Sequence, residues 1–561
     1  MELTGAQIMV KSLEDEGVET VFGIPGGMVI PLYDALYDSS ITQILVRHEQ
    51  AAAHAADGYS RAGDKVGVCI ATSGPGATNL VTGIATAYMD SSPMVAITGQ
   101  VATGSIGTDA FQEAHILGIS LPIVKHSMQI RSPDEITQTL RDAMFIASTG
   151  RPGPVVVDFP SDIQRGKGVY SRPSGLSFPG YSAELQENLE KLDEAAAMIR
   201  SAERPVVIAG NGVNISRAFG QLKNFCEKLE LPVATSLLGK GSIAGDHPNS
   251  IGMVGMHGNA VVNRALDKAD IVVIVGSRLS DRSTGKQVAF ARQARVIHID
   301  LDAAEIHKSI DADLWLIGDA GKIMDLLTEK ASGRNFKSRA AWMEELRRME
   351  ADEPLGRRAE KKDCVYPWQV IDALDDVVKG EAIVTTEVGQ HQMWTALYHR
   401  ATHPRRFLTS GGLGTMGFGL PASIGAHFAR PDLPIFCIAG DGSAMMNIQE
   451  LDTYARYSLP VKVLLFDNNC LGMVRQWQQL FYDERFSNTI YSRRPDYVKI
   501  AQGMGVEAFT ADDPANLRRS IERAVGTPGP VLIHIPIPQD ENVFPMVPAG
   551  ASLSEMLLAG I

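Results

Sequence analysis

Apolar residues along this chain come in short unbroken runs, each closed by a glycine-rich or polar turn and followed by a helical stretch. Val68-Cys-Ile-Ala71 precedes Thr72-Ser-Gly-Pro-Gly, and Val206-Val-Ile-Ala209 precedes Gly210-Asn-Gly. Ile271–Val275 leads into Gly276-Ser-Arg, Ile435–Ile438 into Ala439-Gly-Asp-Gly, and Val461–Phe466 into Asp467-Asn-Asn. Runs of this length without polar alternation suit strands buried on both faces, so the pattern predicts an α/β protein of doubly wound parallel sheets. In such sheets ligands gather at the carboxyl ends of strands, where these turns fall. Two stretches lack the rhythm and read as linkers: Gly166–Tyr181, rich in Gly, Pro and Ser, and Gly333–Lys362, dense in charge, with a solvated helix expected around Ala340–Met349. They divide the chain into three domains at about 1–165, 185–332 and 364–550. The first and third share a faint likeness, Cys69-Ile-Ala-Thr-Ser-Gly-Pro-Gly76 against Cys437-Ile-Ala-Gly-Asp-Gly442, which hints at related domains.

A chain of 561 residues fits three or four domains by length. The net charge of −13 disfavours nucleic acid or an anionic membrane as partner, since both need a positive face. It leaves room for a phosphorylated cofactor held by a local site. Two long uncharged runs, Val66–Met89 and Phe407–Ala429, are interrupted by Gly, Pro, Ser and Thr, so they read as buried strand–turn–helix segments, not membrane spans. The five cysteines (Cys69, Cys226, Cys364, Cys437 and Cys470) are scattered, and the start has no signal-peptide pattern. A cytoplasmic protein with reduced thiols is the expectation.

The strongest chemical signal is Gly440-Asp-Gly-Ser-Ala-Met-Met-Asn447 followed by Asp467-Asn-Asn-Cys-Leu-Gly472. Asp441 and Asn468 end successive expected strands and can face one crevice. A carboxylate and an amide oxygen are hard ligands suited to Mg²⁺, which shares its octahedral shell with phosphates. The glycines let backbone approach a diphosphate, whose charge a helix start favours. A tight turn with a helix cap accounts for the same spacing. Glu49, in the small-residue stretch Glu49-Gln-Ala-Ala-Ala-His-Ala-Ala-Asp-Gly, fits either a helix surface or an acid beside a flat ring.

Gly-Asp-Gly followed by a run ending in paired asparagines resembles thiamine-diphosphate enzymes. The resemblance spans nearly the whole chain and is nearest to the acetolactate (acetohydroxyacid) synthase catalytic-subunit family. Collinear matches include Phe22-Gly-Ile-Pro-Gly-Gly27, Arg47-His-Glu-Gln50, Ile106–Glu113, Gly150–Pro154 and Gly255-Met-His-Gly258. Others are Glu387–Trp394, Leu408–Pro421, Gly472–Trp477 and Val543–Pro548.

The resemblance implies a pyrimidine-binding first domain, a central domain of the FAD-binding type and a third domain binding diphosphate and Mg²⁺. Asp441, Asn468 and the carbonyl of Cys470 would hold the metal. Glu49 would activate the cofactor through its aminopyrimidine ring, with Gly27 and Gln112 beside it. Val388, Gly389, Gln390, His391, Gly414, Gly440, Gly442, Ser443 and Met446 would line the cofactor, and Met416 would wedge it bent. Arg151, Gly210, Gly212, Met256, His257, Arg278, Arg282, Asp300 and Asp319 would contact a structural FAD. Phe111, Arg282, Met473 and Trp477 would shape the substrate pocket, Trp477 favouring 2-oxobutanoate over pyruvate as acceptor. Because Glu49 and Asp441 lie in different domains and the family's cofactor bridges two chains, a homodimer or tetramer is implied, and a separate regulatory small subunit belongs to the same expectation. Two departures stand out: Leu279-Ser280 replaces the family's Phe-Asp pair before Asp281-Arg282, and Ser161 stands where the family has lysine.

The implied reaction is decarboxylation of pyruvate and joining of its two-carbon unit to pyruvate or 2-oxobutanoate, the first common step of branched-chain amino-acid synthesis. Rival readings are another thiamine-diphosphate oxidase, decarboxylase or carboligase, and a non-enzymatic scaffold. Glu49 speaks against glyoxylate carboligase, which lacks that acid.

Overall fold

The computed structural model describes residues 2–558 apart from positions 174, 179, 184–186, 333–335 and 358–362. Gly333 and Lys362, the ends of the second expected linker, lie outside the described residues.

Three six-stranded, wholly parallel sheets carry the molecule. The first runs Thr42–Leu45, Thr20–Gly23, Gly67–Ala71, Met94–Gln100, Pro154–Pro160, His126–Gln129. The central sheet runs Ser250–Met253, Val233–Thr235, Pro205–Ala209, Ile271–Val275, Arg295–Asp300, Leu314–Ile317. The third runs Phe407–Leu408, Ile383–Thr386, Ile435–Gly440, Lys462–Asp467, Val531–Pro536, Glu507–Thr510. Counted within each sheet, the first and third share the order 2-1-3-4-6-5, while the central sheet has 3-2-1-4-5-6. The likeness of the outer domains is therefore topological as well as sequential. Each sheet reverses its strand order beside its first strand, and there the loops splay apart into a crevice.

Both faces of every sheet are covered, as the unbroken apolar runs require. In the first sheet Val68 and Ile70 face one cluster while Cys69 and Ala71 face another. In the third, Phe436 and Ile438 alternate in the same way with Cys437 and Ala439. Cys69, Ala71, Cys437 and Ala439 belong to one continuous core, so the first and third domains share it. Its centre is a contact between helices Glu49–Ala62 and Gly419–Ala429. A Cβ at Gly58 would lie 2.1 Å from the carbonyl oxygen of Ala422, and one at Gly425 only 1.8 Å from that of Ala55. The long alanine run lets the two backbones meet, and a larger side chain would force them apart.

Two sequence expectations need correction. Within the first linker, Lys167–Val169 pairs antiparallel with Glu2–Thr4, tying the N-terminal strand to the end of its domain. The helix of the second stretch, Ala340–Asp352, is not solvated all round. Trp342, Met343 and Leu346 are buried in the core of the central domain, and the Trp342 indole donates to the carbonyl of Pro205 at 3.0 Å. Charge on its outer face masks this apolar stripe. The two uncharged runs form strands, turns and short helices, and no described helix is long and apolar enough to cross a membrane.

Gly425→Val places a branched side chain against a backbone oxygen at the shared core. It is expected to destabilise by about 3 kcal/mol or more, within the range of severe core overpacking. A lowered thermal midpoint checks this, and an unchanged midpoint contradicts the backbone contact.

Candidate active site

The third sheet reverses its order between Ile383–Thr386 and Ile435–Gly440. A cavity opens at that point, lined by Val388, Gly389, Gln390, His391, Met416, Gly440, Asp441, Gly442, Ser443, Asn468, Cys470 and Met473. Gly389 has φ +153°, and its Cβ would meet the His391 ring at 2.9 Å. A Cβ at Gly440 would come within 2.4 Å of the same ring. Glycine is needed on both sides of this imidazole. Gly414 and Met446 do not line the cavity; Met446 is exposed and backs onto Gly417.

Two buried atoms of the cavity residues have no hydrogen-bond partner: Asp441 Oδ2 and His391 Nε2. Burial, and then the neighbouring Asp467 carboxylate, push the Asp441 carboxyl well above the ordinary range. Asp467 is also buried, yet His534 at 2.8 Å and Arg494 at 3.1 Å hold it low. Desolvation lowers the His391 pKa to about 3, which keeps the ring neutral while it donates to the Glu387 carbonyl. An acidic, buried, unpartnered oxygen fits a divalent cation. Among the described residues no cluster of three or more His, Cys, Asp or Glu could hold a metal. A cation here would rely on Asp441, amide and backbone oxygens, and its own phosphate ligands.

Glu387, which carries no role in the sequence analysis, lies behind the cavity wall. It is fully buried at the end of strand Ile383–Thr386. Its carboxylate accepts from the Gly417 N–H at 2.6 Å, the Leu420 N–H at 2.9 Å and the Ser443 hydroxyl at 2.7 Å. One side chain thereby joins the Met416 loop, the start of helix Gly419–Ala429 and the Gly442-Ser443 turn. Burial drives its pKa up to about 7. A lone acid directly after Ile383-Val-Thr-Thr386 was the available signal.

The first-domain candidates gather at their own switch point, between strands Thr20–Gly23 and Gly67–Ala71. The Met28 N–H donates to Thr72 Oγ1 at 3.2 Å beside Gly27. Gln112 packs over Gly74, where a Cβ would meet its carbonyl oxygen at 2.8 Å. Glu49 opens its helix, which His48 caps by accepting the Gln50 N–H at 3.1 Å. The Glu49 side chain is half-buried and accepts from Asn79 Nδ2 at 3.0 Å. None of these residues lines the Asp441 cavity. The two clusters are thus separate within the chain, and exposed apolar side chains fringe both. Ile30 and Phe111 flank the first, and Leu413, Met445, Met446 and Val474 flank the second.

At the switch point of the central sheet, Gly212, Arg278, Asp300 and Asp319 meet Arg151 of the first domain around a cavity of about 410 Å³. Gly210 sits at the root of that crevice, where a Cβ would meet the Gly276 carbonyl oxygen at 2.1 Å. Arg151 is engaged by Glu305 at 2.5 Å and Asp302 at 3.2 Å. Burial raises the Asp300 pKa to about 6. Met256, His257 and Arg282 lie elsewhere. The Arg282 guanidinium stacks over Trp477 at 5.8 Å, its carbonyl accepts the Met256 N–H at 2.7 Å, and His257 bonds Pro545 at 3.3 Å. Trp477 walls an open cleft that shares Met473 and Val474 with the Asp441 cavity. Ser161 is buried at the start of a short helix, 3.4 Å from an Arg165 nitrogen.

Three family models describe this chain in succession: the N-terminal TPP binding domain of thiamine pyrophosphate enzymes at residues 3–119, the central domain at 192–327 and the C-terminal TPP binding domain at 387–535. The chain is 46% identical to a probable acetolactate synthase large subunit of Methanocaldococcus jannaschii, over 99% of this chain and 95% of that one. It is 44% identical to the acetolactate synthase isozyme 2 large subunit of Escherichia coli K12, over 99% of both. With the acetolactate synthase large subunit of Corynebacterium glutamicum it shares 43% identity, over 99% of this chain and 90% of that one. A likeness of this depth across all three domains places the chain in the acetolactate synthase large-subunit family of thiamine pyrophosphate enzymes.

Proposed function

We propose that the protein decarboxylates pyruvate and joins the two-carbon unit to a second 2-oxo acid, giving 2-acetolactate from pyruvate or 2-aceto-2-hydroxybutanoate from 2-oxobutanoate. The observation that carries this is the cavity at the third switch point, where the unpartnered Asp441 Oδ2 and the neutral His391 stand on a glycine-lined floor. Those residues fit a magnesium diphosphate. Asp441, the Asn468 amide oxygen and the Cys470 carbonyl would hold the cation. Gly389, Gln390, Gly440, Gly442 and Ser443 would approach the diphosphate, and Met416 would support the rings. Bound thiamine diphosphate supplies an electron sink for decarboxylation and a nucleophilic carbon for the new bond.

Glu49 would exchange a proton with the cofactor's pyrimidine from the facing half-site, with Gly27 and Gln112 beside it. Because one chain separates Glu49 from Asp441, a second copy would supply the missing half, in a dimer or tetramer. The exposed apolar residues around both half-sites support that reading. Burying them would also exclude water, protecting the transferred unit from protonation. The Trp477 cleft adjoins the cavity through Met473 and Val474, so an acceptor lying there, its carboxylate toward Arg282, would be next to the reacting carbon. Phe111 would close the donor side.

The central cavity has Asn211 and Arg278 as donors and Asp300 and Asp319 as acceptors, and the buried Glu305 Oε2 there lacks a partner. This set fits the phosphates and hydroxyls of FAD, held for structure, since the carboligation has no net redox step. The domain division at 1–165, 185–332 and 364–550 and a cytoplasmic setting belong to the same proposal.

With thiamine diphosphate, Mg²⁺ and pyruvate, the purified chain is expected to yield acetolactate with one carbon dioxide per two pyruvates consumed. Acetaldehyde or acetyl phosphate as main product overturns the proposal. Glu49→Gln should lower turnover at least ~100-fold, the usual weight of an acid–base group, while the thermal midpoint stays put. Full activity in that variant removes Glu49 from the chemistry.

Metal binding should depend on pH through Asp441. Its raised folded-state pKa means that the cation-free fold is favoured at low pH and loses that contribution as pH rises and the proton leaves. A cation displaces the same proton, so its affinity rises with pH. The thermal shift produced by Mg²⁺ with thiamine diphosphate should be larger at about pH 8.5 than at about pH 6. The opposite order contradicts Asp441 as a ligand.

A further inference from the structure

An asparagine offers a cation one useful end. Its Oδ1 is a hard oxygen donor, whereas Nδ2 carries two hydrogens and no available lone pair. The two ends have the same shape, so something outside the residue must decide which of them faces the metal. For Asn468 that decision traces back to a peptide group whose polarity cannot be reversed.

Val543 donates its N–H to Gln476 Oε1 at 2.8 Å, and its carbonyl accepts from Gln476 Nε2 at 2.9 Å. A peptide nitrogen only donates and a carbonyl only accepts, so the Gln476 amide has a single allowed sense. Its Oε1 also accepts from Gln390 Nε2 at 2.9 Å, and the carbonyl of Glu541 accepts from that same nitrogen at 3.1 Å. Gln390 is therefore turned with Oε1 toward Asn468, whose Nδ2 donates to it at 3.0 Å. That leaves Oδ1 as the end of Asn468 available to a cation. All three amides are buried, at 0%, 3% and 5% exposure for Gln476, Gln390 and Asn468, so water cannot readily substitute for a missing link. The site is also tight. A Cβ at Gly472 would lie 2.0 Å from Gln390 Oε1 and 2.5 Å from Asn468 Nδ2.

We propose that Gln476 is a positioning residue which, through Gln390, turns the oxygen of Asn468 toward the divalent cation of the cofactor. This rests on the reading of Asn468 as a ligand. Gln476 is absent from the cavity lining, so it acts only through its neighbours. The same contacts make the backbone at Val543 and Glu541 part of the metal site's support, although neither lies in the cavity.

The test is calorimetric titration of the full-length, cofactor-free protein with thiamine diphosphate at a series of Mg²⁺ concentrations. Gln476→Met keeps length and removes polarity. It should raise the Mg²⁺ concentration for half-saturation about 10- to 100-fold, as loss of a supporting hydrogen bond does at metal sites, and by more than any loss of turnover at saturating Mg²⁺. Gln476→Glu, once protonated, repeats the glutamine's donor and acceptor pattern and should stay within about threefold of the parent. If Gln476→Met lowers the ligand-free thermal midpoint, the glutamate variant decides alone, and a tenfold or larger rise there overturns the proposal. Asn468→Ala separates the two levels. Lost Mg²⁺ dependence in Asn468→Ala with parental titration of Gln476→Met refutes the relay alone. Unchanged Mg²⁺ dependence in Asn468→Ala removes the ligand reading beneath it.

Discussion

The backbones of helices Glu49–Ala62 and Gly419–Ala429 approach until neither Gly58 nor Gly425 has room for a Cβ. No side chains intervene to absorb a shift, so the first and third sheets are held in one relation through a shared core. Buried charge reinforces the contact. Arg61 reaches from the first helix to Asp57 at 2.7 Å and Asp90 at 2.6 Å, and donates to the Thr409 carbonyl at 2.7 Å. Asp90 in turn accepts the Gly411 and Gly412 N–H groups at 3.1 and 2.6 Å. Both carboxylates lie buried beside the guanidinium, so removing the arginine would strand them without compensation.

On this frame one physical rule is used three times. Each sheet buries its strands on both faces and releases polar loops where its strand order reverses, and the reversal beside the first strand of each sheet holds candidate residues. At the third, the unpaired Asp441 oxygen is costly in an empty cavity and useful in a filled one. Glu387 and Gln476 supply rigidity from behind the wall, the first by joining three loops, the second by fixing amide direction. Neither touches the cavity contents. Both belong to the support that keeps ligating atoms aimed.

The parallel sheets were legible because strands buried on both faces must be continuously apolar, as Val206–Ala209 and Ile271–Val275 are. Asp441 and Asn468 could be placed in one crevice because they directly follow such strands, whereas His391 came only with the family resemblance. Gln476 was not legible, since its orienting partner Val543 stands 67 residues further along the chain. Strand Lys167–Val169 was missed for the same reason, its partner being the other end of the domain at Glu2–Thr4. Helix Ala340–Asp352 misled because charged residues outnumber the three side chains that anchor it. The grouping of Arg282 with Trp477 was expected from the family resemblance, whereas the distance of Met256, His257 and Arg282 from the central cavity was not.

In the proposed assembly one chain holds two half-sites which a second copy completes. Mixing two inactive variants, Glu49→Gln and Asp441→Ala, under conditions that exchange subunits tests it most directly. In a mixed dimer one site collects both substitutions and the other neither. Random pairing should therefore restore about one quarter of the parental activity from two inactive preparations. A mixture that stays inactive although mass spectrometry shows mixed dimers would contradict the account, because each chain would then need its own Glu49 and Asp441 together.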